Sequence, residues 1–440
     1  MSLKNILGLN LNHADSAACI IKNNSLNFAI EEERLNRKKH WAGVPEQSIY
    51  SCLKFSNLNP KEIDVITLNT NPKSNLIKKS LYFIKNYLSG TKKKEIFDRL
   101  QKKIKIKKYL IDKFGFKRDI KIDYVDHHLS HIASGFFASD FDKASGISID
   151  GFGDFCSVVI SELDRNKSIK IKKKIYFPHS LGVFYEAMTQ FAGFKNYGEE
   201  YKFMALACMG EPVYFDKILN NLFLSKDEIK LNVNFFLHHD KNYSYKFEGI
   251  PNQNQLFSEK MFRLFGTTEN FKTDNIEKKQ LDIAASVQKV FEHFVFKLIN
   301  KHIDKNYSKN LILAGGCALN SLSNGKILKE YRDLNLFIPF SPGDSGGAIG
   351  SAIISNIKLN KLIPKNLKTP YLGISYDNNY IKGSIDSLDL SKNFRSSYYE
   401  NIDDLIRVTT DMLLADKVGG WFQGRMEFGP RALGNRSIIA

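Results

Sequence analysis

Two stretches of the chain repeat one alternation of apolar and polar residues. In the first, Asn5 to Asn10 reads as a buried strand and the polar loop Asn12-His13-Ala14-Asp15 follows. Ser16 to Lys22 is a second strand, Asn23-Asn24 turns, and Leu26 to Glu32 is a third. In the second, the strand Ser145 to Asp150 ends in an acid and Gly151-Phe152-Gly153-Asp154 is a tight loop. Phe155 to Glu162 is the next strand, Asp164 to Lys167 turns, and Ile169 to Tyr176 is the third. A unit of strand, acidic loop, strand, turn and strand thus recurs about 140 residues later, the mark of an internal duplication.

Helical periodicity fills in the rest. His128 to Ala138 and Leu181 to Phe191 read as helices, and Leu281 to Ile303 as a long one with Ile283, Val287, Val290, Phe291, Phe294 and Leu298 on its apolar face. A strand at Leu311 to Leu313 runs into Gly315-Gly316, and Leu336 to Pro339 runs into Ser341-Pro342-Gly343-Asp344. Strand, glycine loop and helix together bring ligands to the carboxyl ends of strands. The expected fold class is α/β: a duplicated, two-lobed actin-like or RNase H-like domain whose lobes clasp a nucleotide, over residues 1–365. A proline- and asparagine-bearing linker is expected at 366–389 and the beginning of a second α/β domain at 390–440. About 50 residues are marginal for an independent core, so the chain is expected to stop inside that domain.

With 440 residues, 43% hydrophobic and 25% charged, the composition is that of a globular chain and excludes a disordered or fibrous one. No apolar run approaches the roughly 20 residues of a bilayer crossing. The N-terminal apolar stretch is broken by Asn5, Asn10, Asn12, His13 and Asp15 before a signal sequence develops. Cys19, Cys52, Cys156, Cys208 and Cys317 form no C-x-x-C pair, so neither a disulfide framework nor a thiolate zinc site is expected, and the cytoplasm is the expected location. The net charge of +17 would point to nucleic acid or an anionic membrane were it spread out. Instead, residues 71–120 hold 16 Lys/Arg against 4 Asp/Glu. There Leu76, Leu81, Ile84 and Leu88, then Ile96, Leu100 and Ile104, recur at helical spacing. This reads as a lysine-rich, solvated helical insertion, with a site for a polyanion or acidic partner as the rival reading.

Four groups of residues carry candidate chemistry. In His127-His128-Leu129-Ser130-His131, His127 and His131 share a helix face, as do His128 and His131, so either pair could ligate a metal; such pairs are also common as hydrogen-bonded structural residues. Asp150 and Asp344 supply carboxylates, and two imidazoles with carboxylates and no thiolate suit Fe(II), Zn or Mn. Gly151 and Gly153 allow backbone amides near an anion, and Gly315, Gly316 and Asn320 offer a nucleoside cradle, although each could be a mere turn. His13 could serve as a general base with Asp15 holding its tautomer, or lie exposed beside a capped turn. Finally, Gly424 to Ser437 places Arg425, Arg431 and Arg436 in a loop with glycines and a proline, a pattern suited to clamping phosphate or carboxylate.

In this order, His13-x-Asp15-Ser16, Glu31-Glu32-Glu33-Arg34, His127-His128-Leu129-x-His131, Asp150-Gly151-x-Gly153, Gly198-Glu199-Glu200-Tyr201-Lys202-x-Met204, Gly315-Gly316-x-Ala318-Leu319-Asn320, Ser341-Pro342-Gly343-Asp344 and the arginine loop resemble the O-carbamoyltransferase family of the nodulation-protein and antibiotic-tailoring type (NodU/CmcH). The resemblance runs through essentially the whole chain. It implies an actin-like N-terminal domain and a YrdC-like C-terminal domain. It further implies that carbamoyl phosphate and ATP form a carbamoyl-adenylate, whose carbamoyl group passes to a hydroxyl near an iron ion. By this resemblance His127, His131, Asp150 and Asp344 are the metal ligands, and Gly151, Gly153, Gly315, Gly316 and Asn320 hold the nucleotide. His13 and Asp15 lie near the acceptor, Glu200 and Lys202 bind substrate, and Arg431 and Arg436 belong to the carbamoyl-phosphate end. Where the family continues Met-Gly-Leu-Ala-Pro-Tyr-Gly, this chain has Met204-Ala205-Leu206-Ala207-Cys208-Met209-Gly210. The expected partner is a small-molecule or saccharide hydroxyl acceptor, not a membrane or a nucleic acid, and a homodimer is compatible with this reading. The alternatives are a tRNA threonylcarbamoyl-transferase-like enzyme, an actin-fold sugar kinase, or a non-catalytic nucleic-acid-binding protein using the lysine-rich segment. The polypeptide alone is expected not to form the adenylate.

Overall fold

The computed structural model describes residues 3–87, 105–166, 168–240, 243, 245–246, 248–388 and 394–440. The first sheet holds β1 (Ile6–Asn10), β2 (Ala17–Lys22), β3 (Ser25–Glu31), β4 (Val65–Leu68) and β5 (Lys121–Tyr124) in the order β3-β2-β1-β4-β5. The second holds β6 (Lys143–Gly153), β7 (Cys156–Asp164) and β8 (Ser168–Tyr176). After a two-residue hairpin, β9 (Tyr245–Lys246) and β10 (Asn252–Gln253), it adds β11 (Asn310–Ala314) and β12 (Asn335–Phe337), in the order β12-β11-β6-β7-β8. In each sheet the first three strands are antiparallel neighbours, and the first also pairs in parallel with the fourth, which pairs in parallel with the fifth. The two sheets share one topology, so the duplicated, actin-like two-lobed fold stands on strand order alone.

Every residue of β1 is buried, which explains its continuous rather than alternating apolar run. β4 and β5, which complete the first sheet, lie on either side of the lysine-rich insertion and carry little pattern of their own. Of that insertion, Leu76–Tyr87 and residues 105–114 are helical, while Leu88, Ile96, Leu100 and Ile104 lie outside the described residues. Leu76, Leu81 and Ile84 are 51–57% exposed, so the apolar positions of the first helix are themselves largely solvated.

In each lobe the fifth strand leads into a helix aimed at the cleft: β5 into His127–Phe136, and β12 into Asp344–Asn360. Their crossing is close. A Cβ on Gly350 would stand 1.8 Å from the Ser130 carbonyl oxygen, so only glycine allows the two backbones to meet. The segment after residue 360 returns to the first lobe, where Leu26 and Ala29 donate backbone hydrogen bonds to the Lys365 and Leu372 carbonyls. The stretch expected as a linker contains the helix Asn378–Asp386. Beyond it come the helix Ile402–Leu414 and the hairpin β13 (Gly419–Phe422) and β14 (Arg436–Ile439). Between those strands Met426 and Phe428 are buried, which pins the arginine loop to the body of the protein.

Candidate metal centre and cleft

Asp126 caps the His127–Phe136 helix by accepting a hydrogen bond from the Leu129 N–H. Four-residue spacing then stacks His127 and His131 on one face, with their Nε2 atoms 2.9 Å apart. Asp150, where β6 opens into its loop, brings Oδ2 to 3.3 Å from His127 Nε2 and 3.0 Å from His131 Nε2. Asp344 opens the opposing helix and brings Oδ1 to 3.4 and 3.5 Å from the same two nitrogens. A cation bonded to nitrogen and oxygen at about 2.0–2.2 Å separates neighbouring donors by about 2.8–3.6 Å, so the four atoms fit one ion. Among the described residues Asp344 Oδ1 is a buried acceptor with no hydrogen-bond donor, one that a cation would satisfy. Gly153 makes room for the cluster, since a Cβ there would fall 1.8 Å from His127 Cδ2.

His128, the other candidate of the histidine run, is committed elsewhere. It is fully buried between Ser148 Oγ at 2.8 Å and the Cys156 carbonyl at 3.1 Å. Burial, reinforced by His127, pushes its pKa down to about 4, so it is a neutral structural residue. Burial opposes charge on Asp150 too, but contacts with His127 and His131 outweigh it and hold the carboxyl well below its usual range. His131 is shifted the other way: Asp150 and Asp344 overcome burial and push it up to about 9. These protons are the ones an entering cation would displace.

His127, Asp150 and Asp344 of the cluster line a cavity of about 1420 Å³ between the lobes. His13 lines it, and its Nδ1 meets Asp344 Oδ2. Asp15 sits in a left-handed turn (φ 55°) and its Oδ1 lies 2.8 Å from His40 Nδ1, while Asp344 is the close partner of His13. Gly151, Gly153, Gly316 and Glu200 line the cavity, and Gly315 turns behind it, its N–H bonded to the Pro342 carbonyl at 2.8 Å. Asn320 also lines it, yet its amide is occupied. Oδ1 accepts from Ser323 N at 2.9 Å and Gln288 Nε2 at 3.0 Å, and Nδ2 donates to Gln288 Oε1 at 2.9 Å. Arg431 reaches the cavity wall, whereas Arg436 lies behind the loop with Nε 3.9 Å from Glu427 Oε2. Lys202 lies on the outer surface, its Nζ 2.6 Å from Glu199 Oε1.

Two cavity residues escaped the sequence reading. His40 bridges the lobes, held by Asp15 on one side with its ring 5.4 Å from Tyr197 on the other. Glu186 lies in the Leu181–Phe191 helix with Oε1 2.5 Å from Gln253 Nε2; burial, and then Glu200, push its carboxyl up to about 8. A single acid in an otherwise uncharged 11-residue helix was the available signal.

Family models described as carbamoyltransferase N-terminus and carbamoyltransferase C-terminus match residues 5–353 and 410–440. An uncharacterized protein of Synechocystis sp. is 35% identical over 99% of this chain and 71% of its own length. The nodulation protein NolNO of Sinorhizobium fredii is 29% identical over 97% of this chain and 58% of its own length. The 3′-hydroxymethylcephem-O-carbamoyltransferase of Streptomyces clavuligerus is 28% identical over 38% of this chain and 29% of its own. Among solved structures, component A of the Acidaminococcus fermentans (R)-2-hydroxyglutaryl-CoA dehydratase aligns with a TM-score of 0.42 at 13% identity, over 81% of this chain and 99% of that one. HypF of T. kodakarensis aligns with a TM-score of 0.39 at 16% identity, over 83% of this chain and 49% of that one.

Proposed function

The chain belongs to the carbamoyltransferase family, and on that premise we propose that its cleft carries out O-carbamoyl transfer. The carbamoyl group comes from carbamoyl phosphate, is activated with ATP as a carbamoyl-adenylate, and passes to a hydroxyl of a sugar or secondary metabolite. The observation that carries this reading is the convergence of His127, His131, Asp150 and Asp344, with His13 against Asp344, on the wall of a cavity large enough for donor and acceptor together. An adenylate hydrolyses in open water, so a cleft walled by two lobes favours transfer over loss.

His127, His131, Asp150 and Asp344 would hold a divalent cation; Fe(II), Zn and Mn all suit two imidazoles with two carboxylates. When bound, the ion supplies Lewis-acid polarisation of the carbamoyl oxygen. The protein's own residues do the rest. Asp344 engages His13 Nδ1 and sets the ring, so Nε2 is the atom that takes the proton of the attacking hydroxyl. The amides beside Gly151 and Gly316 flank the position of the leaving phosphate. Arg431 offers a guanidinium to the same anion, and Glu200 accepts from acceptor hydroxyls.

The test is product analysis of the full-length protein with carbamoyl phosphate, ATP, Fe(II) and a panel of hydroxylated acceptors. Mass spectrometry should show one carbamoyl group replacing one proton, with orthophosphate released as carbamoyl phosphate is cleaved to carbamate, pyrophosphate as the carbamate is adenylated and AMP on transfer, and His13→Ala should abolish transfer. Release of ADP with a phosphorylated acceptor would replace this reading with that of a kinase.

A further inference from the structure

Beside the candidate metal centre the cavity has an aromatic wall that the chemistry above leaves unused. Phe152 and Phe177 stand 4.8 Å apart between ring centroids, Phe155 and Phe177 5.5 Å, Tyr82 and Phe177 5.0 Å, and Tyr82 and Phe155 5.6 Å. All four rings line the cavity and are only partly buried. Phe152 is two residues from Asp150, so its backbone lies within about 7 Å of a candidate ligand along the chain.

The backbone at Phe155 is strained to put its ring there. Gly153 and Cys156 pair across the β6–β7 hairpin, leaving Asp154 (φ 49°) and Phe155 (φ 72°) as a two-residue turn with both central residues left-handed. Such turns select glycine at the second position, and a bulky ring there is strained. Asp154 is held in place, accepting hydrogen bonds from Thr70 Oγ1, Asn71 N and His127 N at 2.8–2.9 Å. The turn therefore ties the aromatic wall to the helix that carries His127. At the rim of the same wall, Lys79 is half-buried and lines the cavity, and its ammonium makes no ion pair among the described residues.

We infer that Tyr82, Phe152, Phe155 and Phe177 form the acceptor's ring-binding subsite, taking the C–H face of a pyranose, with Lys79 donating to its oxygens. The inference rests on the carbamoyl-transfer reading for the word acceptor, and it adds a substrate class: a cyclic sugar rather than an open-chain alcohol. An aromatic ring presents a flat apolar face with a negative quadrupole, which suits polarised C–H groups and excludes water. An acyclic polyol offers the same hydroxyls and no such face.

Saturation-transfer difference NMR on the intact protein tests this without requiring turnover. Aromatic protons are irradiated in the presence of a set of methyl pyranosides, glycerol, or AMP. We expect transfer to pyranoside ring protons, little to glycerol, and at least a fivefold weaker pyranoside affinity in Phe155→Gly. That variant suits the turn, so its Tm should be unchanged or higher; Phe177→Leu is the second variant. Absence of pyranoside binding, equal transfer to glycerol, or unaltered affinity in both variants would overturn the inference. Loss of AMP binding in place of pyranoside binding would overturn it too, by assigning the wall to the donor's base. Binding as expected without carbamoylated product would leave the subsite standing and remove only the reaction.

Discussion

Asp344 serves two partners, one oxygen facing His127 and His131 while the other meets His13. Asp344→Asn keeps the shape and removes the charge, so divalent-cation affinity should fall by about 10–100-fold or more, the range typical of lesions around such ions. Metal content after anaerobic loading with Fe(II) checks it; undiminished binding would mean that the four side chains do not form the site. Glu186 makes a separate prediction. Its folded pKa of about 8 stands above the ordinary 4.5, so the folded state holds the proton more tightly than the unfolded state. Its contribution to stability is therefore complete below about pH 4.5 and is lost as pH climbs towards 8. Glu186→Gln should flatten the decline in Tm between pH 5 and pH 8, at about 1–2 °C per kcal/mol for a chain of this length. An unchanged slope would locate the pH dependence elsewhere.

At the scale of elements, the two helices that follow the fifth strand of each sheet are counterparts in the duplication, and both carry candidate ligands at their first turn. Their separation is set where Gly350 meets the Ser130 carbonyl. Both atoms in conflict would be fixed to backbone, so Gly350→Ala should destabilise by about 1–3 kcal/mol and disturb cation binding as well. Urea unfolding gives the first effect and metal content the second. The same scale shows what was legible in the sequence. The first three strands of each sheet were, because their polar loops and turns punctuate apolar runs. β4 and β5 were not: Val-Ile-Thr-Leu and Lys-Ile-Asp-Tyr are four residues each, too short for a period to register beside a lysine-rich helix. His127, Asp150 and Asp344 stood out because each marks a helix start or the approach to a strand's end, and His131 because it follows His127 at helical spacing. The choice between His127 and His128 needed the structure, since it turns on Ser148 and the Cys156 carbonyl. The contact of Asp15 with His40, 25 residues on, was not legible, since it depends on a left-handed turn. The face of Lys202 depended on where the short helix Glu200–Leu206 begins, which no spacing reveals.

On the scale of the whole molecule, the charge excess gathers in one insertion, and among the described residues no helix is long and apolar enough to cross a membrane. The lobes meet around the cavity and also touch at its mouth. Ala42 of the first and Gly249 of the second exchange two backbone hydrogen bonds, at 2.7 and 2.8 Å, one residue from the Trp41 indole and two from His40. At about 0.5–1.5 kcal/mol each, the two bonds together contribute about 1–3 kcal/mol to the free energy of parting this contact. Deuterium uptake at those two amides should track that parting and slow when AMP occupies the cleft. Residues 42 and 249 thus form a latch that carries none of the candidate chemistry, so a change at either is expected to alter how readily the contact opens and to leave cation binding unchanged.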